Sequence, residues 1–99
     1  MTIYTVPQIY VACLASYNQG ELHGEWIDAT QDIELIEKEI AEILADSPVP
    51  DAEEWAIHDY DGFGTSSSVL GEYPKLEDVV KTARFIDGIE DSKLPSKLI

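Results

Sequence analysis

The chain has 99 residues, 44% of them hydrophobic and 26% charged, with 20 Asp and Glu against 6 Lys and Arg and a formal net charge of -14 at pH 7. A chain of this length builds one modest core, which excludes a roomy enclosed reaction chamber. So negative a net charge also opposes direct binding to nucleic acid or to an anionic membrane.

The first predicted strand runs from Gln8 to Ser16. Ile9, Val11, Cys13 and Ala15 alternate onto one face, while Tyr10, Ala12 and Leu14 make the other nearly as apolar, which suits a central strand. Tyr17-Asn18-Gln19-Gly20 supplies residues tolerant of positive φ for a reversal, so a hairpin partner is expected at about Leu22 to Asp28, with Leu22 and Trp26 sharing a face. Ile33, Ile36, Ile40 and Ile43/Leu44 then recur at helical spacing, from a start that Thr30 or Asp32 can cap to a stop at Ser47-Pro48. Glu54 to Tyr60 reads as a third strand with Trp55 and Ile57 facing together, ended by Asp61-Gly62. A helical crossover returns this strand parallel to the second, so both flank the first and run antiparallel to it, in the order 2-1-3.

Phe63 to Gly71, with two glycines and three consecutive serines, reads as a flexible loop. A second helix is expected from Pro74 or Lys75 to Phe85 or Ile86. Its apolar stripe is Leu76, Val79, Val80, Ala83 and Ile86, and Gly88 is its stop. The fold class is therefore α+β: a small three-stranded antiparallel or mixed sheet with one packed helix, followed by a C-terminal helical segment. Residues 1–63 are expected to form an acidic α+β domain and residues 64–99 a loop and helical arm. Trp26, Trp55, Ile57 and the isoleucine stripe are the expected core.

Cys13 has no partner for an intramolecular disulfide, and no Lys or Arg precedes the first apolar stretch, so no secretory n-region is present. The apolar run from Ile9 to Ala15 is far short of the ~20 residues a spanning helix needs. A soluble cytoplasmic protein is the natural reading. Ser96-Lys97-Leu98 is similar to a peroxisomal address, but Ile99 follows and takes it away from the terminus where that signal is read.

Candidate chemistry is sparse. Cys13 with His23 or His58 would be needed for nucleophilic catalysis, yet Cys13 lies in the most apolar strand, where a thiol acts as an inert small hydrophobe. Asp59, Asp61 and Gly64 fall on positions one, three and six of a calcium loop, but Phe63 and Leu70 occupy positions five and twelve, so the bidentate ligand is missing. One Cys and two His give no zinc spacing. Paired acids such as Glu53 and Glu54 arise by chance among so many carboxylates. No catalytic, metal or cofactor site is assigned.

The acids themselves remain. Through Glu72 the only base is Lys38, against fifteen acids; beyond it five acids meet five bases. On the first long helix Glu34, Lys38, Glu39, Glu42 and Asp46 cover most of the side opposite the isoleucines. An ordinary helix face mixes signs to gain i,i+4 pairs, whereas this one accepts like-charge repulsion. Carboxylates on neighbouring turns stand ~5–6 Å apart, and those two residues apart on a strand ~6.5 Å. Both spacings approach the repeat of phosphates along a nucleic-acid strand.

Two segments carry a family resemblance. Gln8 to Asp28, with its Tyr17-Asn18-x-Gly20-x-Leu22-x-Gly24-x-Trp26 pattern, and Glu53-Glu54-Trp55-Ala56-Ile57-His58-Asp59-Tyr60-Asp61-Gly62-Phe63 together resemble the N-terminal part of ArdA-type antirestriction proteins. The likeness is close over residues 8–63 and looser from Leu70 to Ile86. It implies an acidic DNA mimic of mobile elements, not an enzyme, that occupies the DNA-binding channel of type I restriction-modification enzymes, with the specificity subunit as protein partner. The expected mimic surface is Glu21, Glu25, Asp28, Glu34, Glu39, Glu42, Asp46, Glu53, Asp59 and Asp61. Family members continue into a C-terminal domain that contributes to dimerisation, and this chain stops before it, which leaves a homodimer open. Two other readings stay beside this one: an inhibitor of another DNA-binding defence protein such as a CRISPR effector, and an acidic protein-interaction module.

Overall fold

The computed structural model describes residues 6–92. The tail beyond Ser92, including the Ser96-Lys97-Leu98 signal considered above, lies outside the described residues. In chain order the elements are β1 (Gln8–Cys13), α1 (Leu14–Asn18), β2 (Gly24–Asp28), α2 (Ile33–Ala45), β3 (Trp55–Asp61), α3 (Ser66–Leu70) and α4 (Leu76–Ser92). The three strands form one sheet in the order β2-β1-β3, antiparallel at both pairings, as the pattern of apolar faces predicts.

The sheet is apolar on one face because period-2 alternation places Ile9 and Val11 of β1, Ile27 of β2 and Ile57 of β3 on the same side. Ile36, Ile40 and Ile43 of α2 and Val79, Val80 and Ala83 of α4 complete a single core with them. Each fully buried isoleucine stabilises the fold by roughly 1.5–3 kcal/mol relative to an exposed one. Helix α2 begins where expected, with Asp32 as N-cap in an extended conformation. The Asp32 carboxylate makes no cap hydrogen bond and instead accepts one from Arg84 Nη2 of α4 at 3.0 Å, while Arg84 Nε donates to the Thr30 carbonyl at 2.8 Å. Arg84 thereby ties α4 to the start of α2.

Five expectations are corrected. The first strand ends at Cys13 rather than Ser16, because its ladder runs out there: the Cys13 amide bonds to the His23 carbonyl at 2.9 Å and the Leu14 amide to Glu54 at 3.0 Å. With no further strand edge to pair with, the backbone satisfies itself in α1. The link to β2 is consequently a helix and turn rather than a tight hairpin. Gly20 takes a φ of 85° in that turn, and β2 starts only at Gly24, leaving Leu22 exposed. A Cβ on Gly24 would stand 2.3 Å from the Val11 carbonyl oxygen, so close approach of β2 to β1 requires glycine at this position.

The predicted flexible loop contains α3, and Phe63 at its start is buried in the core. Helix α4 does not stop at Gly88 but continues to Ser92. A glycine costs a helix interior only about 1 kcal/mol, and no C-cap is formed there to end the run. Finally, Trp26 is not a core residue. It is 45% exposed on the sheet face opposite α2, whereas Trp55 is half-buried against the core as expected.

Candidate anionic surface

Thirteen of the fifteen acids between Glu21 and Glu72 are exposed, and the other two, Asp28 and Glu39, are half-buried. The charge excess is thus displayed on the surface and not spent on internal ion pairs. The acids fall into separate groups. On α2 and its C-cap, Glu34, Glu42 and Asp46 are exposed together with Glu37, which is not among the ten acids expected from the sequence. Glu39 is turned aside and accepts a 2.6 Å hydrogen bond from Gln31 Nε2. Glu37 precedes Lys38 on the same exposed helix, so its charge was legible from helical spacing.

A second group lies across the sheet from α2. In the register Gln8 pairs with Asp28 on one side and Asp61 on the other, and Tyr10 pairs with Trp26 and Asp59. Alternation therefore puts Asp28, Asp59 and Asp61 on one face with Tyr10 and Trp26, whose rings meet edge-to-face with centroids 5.4 Å apart. Asp28 also closes β2, accepting from the Thr30 amide at 2.8 Å and the Thr30 hydroxyl at 2.7 Å, and Asp59 Oδ1 accepts from the Tyr60 amide at 2.8 Å. Glu25 is exposed opposite Val11 on the edge strand, Glu21 in the α1–β2 connection, and Glu53 in the segment before β3. The ten residues expected at the surface therefore do not form one row; they occupy both sides of the sheet and its edge.

The cysteine and the two histidines are engaged elsewhere. Cys13 is fully buried. Its Sγ donates to Ser47 Oγ at 3.3 Å and accepts from Ser16 Oγ at 3.6 Å. Burial pushes the thiol up, but the Ser47 hydroxyl, the Ser16 amide and hydroxyl and the Ala15 amide outweigh it and leave it below its ordinary value. With no accessible surface, that thiol meets no substrate. His23 Nε2 lies 2.7 Å from the Ile43 carbonyl oxygen, and the His58 ring stands edge-on to Tyr17 with centroids 4.7 Å apart. Asp59 and Asp61 belong to an extended strand, which spreads them along the sheet instead of wrapping them around an ion. Among the described residues no group of three or more His, Cys, Asp and Glu is placed to hold a metal, and no helix is long and apolar enough to cross a membrane.

Tyr60 gives this region a measurable pH response. Its hydroxyl donates to the Gly71 carbonyl at 2.5 Å, and burial pushes its pKa up to about 12 from 10.0. The neutral phenol is favoured in the folded state. Its contribution to stability is therefore complete below pH 10 and is lost as pH rises from 10 through about 12. Discounted for partial exposure, the loss amounts to about 1 kcal/mol. Urea denaturation across that range should show this slope in the parent protein, and Tyr60→Phe should remove it.

Fold and surface together define a small α+β protein whose exterior is dominated by carboxylates. The chain belongs to the ArdA family of antirestriction proteins: the family model described as "Antirestriction protein (ArdA)" matches residues 9–98, including the C-terminal stretch where the motif likeness was looser. No individual curated protein matches the chain.

Proposed function

We propose that this antirestriction protein works as a DNA mimic, competing with DNA for the binding channel of a type I restriction-modification enzyme through its specificity subunit. The observation that supports this most directly is the exposure of nearly all the acids before Tyr73 on α2, the open sheet face and the strand edge, with Lys38 as the single base among them. A basic channel built for phosphates meets carboxylates at comparable spacing, and the attraction is spread over many weak contacts. In this reading the acidic α+β part before residue 64 presents the charge, and α4 braces it through Val79, Val80 and Ala83. The protein acts in the cytoplasm, without cofactor or catalysis.

The test is a restriction assay on unmodified DNA. The protein should protect it from a type I enzyme while leaving a simple type II nuclease active, and added duplex DNA should displace the protein from the type I complex. Protection should fall steeply as salt rises, because charge contacts with a basic channel are screened. Equal inhibition of both nucleases would show nonspecific polyanion behaviour, and protection indifferent to salt would show that charge contacts do not drive binding; either removes the mimic reading.

A further inference from the structure

We infer that the open end of the sheet is a contact face for an arginine-bearing protein surface, with Trp26 as its anchor. This deepens the mimic reading and rests on it. A pure phosphate mimic needs only carboxylates, yet here a half-exposed tryptophan stands on the same face as three of them.

The arrangement is built. β2 approaches β1 closely at Gly24, and Tyr10 Cε2 lies 3.1 Å from where a Gly24 Cβ would sit, so the Tyr10 ring is seated over that glycine. From there it meets Trp26 edge-to-face, with an interplanar angle of 65°. Asp28 follows Trp26 two residues along the same strand, a spacing of ~6.5 Å, and Asp59 and Asp61 complete the frame from β3 across Tyr10 and Gln8. None of the three strands contains a Lys or Arg, so the protein supplies no cation of its own to this face from the sheet.

An exposed indole bordered by unneutralised carboxylates is complementary to a guanidinium. Arginine stacks on an aromatic ring through its flat cationic face and engages a carboxylate with its N–H groups, and it is weakly enough hydrated to leave water for such a site. A lysine ammonium matches the same frame less well, being a compact and strongly hydrated charge. Tryptophan is also among the residues that dominate binding energy at protein interfaces. Trp26 therefore gives a fixed point of attachment to an interface whose other contacts are diffuse.

The experiment compares the parent protein with Trp26→Ala, Trp26→Leu and Trp26→Phe as inhibitors of a type I restriction-modification enzyme, with thermal melting as the folding control. Trp26→Ala should inhibit roughly 10–30-fold more weakly. Trp26→Phe should recover much of that loss and Trp26→Leu little, since leucine keeps apolar area without a π face. The salt dependence of Trp26→Ala should match the parent's, whereas Asp59→Asn with Asp61→Asn should flatten it. As a measurement that needs no substitution at Trp26, a Trp55→Phe protein labelled with 5-hydroxytryptophan, which then reports from Trp26 alone, should lose acrylamide quenching when the enzyme is added. Parent-like inhibition by Trp26→Ala, equal rescue by leucine and phenylalanine, or quenching unchanged by the enzyme overturns the anchor and leaves mimicry standing. Absence of inhibition by the parent protein overturns both.

Discussion

Changing Glu34, Glu37, Glu42 and Asp46 together to their amides should leave the protein folded and remove most of its protection of unmodified DNA. Glu34, Glu37 and Glu42 are exposed on α2 and Asp46 at its C-cap, and none shares a hydrogen bond or ion pair through its side chain with another described residue. Their loss removes no hydrogen bond or salt bridge, and relief of the Glu34/Glu37 and Glu42/Asp46 repulsions offsets the lost attraction to Lys38, so the melting temperature should change little. In binding, each exposed charge contributes little, so single amides should weaken inhibition by roughly threefold or less, and all four by on the order of 30-fold. Lys38 supplies the opposite sign of the same test. It lies one turn from both Glu34 and Glu42, so Lys38→Gln should strengthen inhibition modestly. If one carboxylate alone abolished protection while the others were silent, a discrete site would replace distributed charge as the explanation.

Ile57→Ala should have the largest effect on folding. Ile57 is 1% exposed and pairs with Val11 beside the irregularity in the β1–β3 ladder, within the core that α2 and α4 complete. Removing a buried isoleucine side chain typically costs ~2–5 kcal/mol. A domain of this size holds only roughly 5–15 kcal/mol in total, so the variant should lose a large part of its stability in urea denaturation. Trp26→Ala removes more atoms but from a half-exposed position, and should cost less than Ile57→Ala. That ordering inverts what side-chain size suggests. An Ile57→Ala variant as stable as the parent would contradict the core described above.

The periodicities of this chain were sufficient for its main architecture. Ile33, Ile36, Ile40 and Ile43 define α2, the alternating apolar residues of β1 place it centrally, and the helical crossover imposes the order of its two neighbours. The acid excess before Tyr73 and the Tyr17–Trp26 and Glu53–Phe63 motifs were likewise readable without coordinates, since they are properties of composition and spacing. Less accessible were the places where pairing and packing compete with local pattern. Leu14 to Ser16 continue the strand alternation, but the ladder has ended and the backbone turns helical to satisfy its own amides. Phe63 looks like loop and is core.

Trp26 marks the same boundary most sharply. Its hydrophobicity argues for burial, but strand parity sets it on a face with Asp28, and only the placement of both helices on the other side of the sheet shows that nothing in α2 or α4 covers it. Charge and periodicity are local quantities that a chain carries wherever it folds. Which of two sheet faces is covered depends on where distant helices pack, and that is settled when Val79, Val80 and Ala83 close over the same isoleucines as α2.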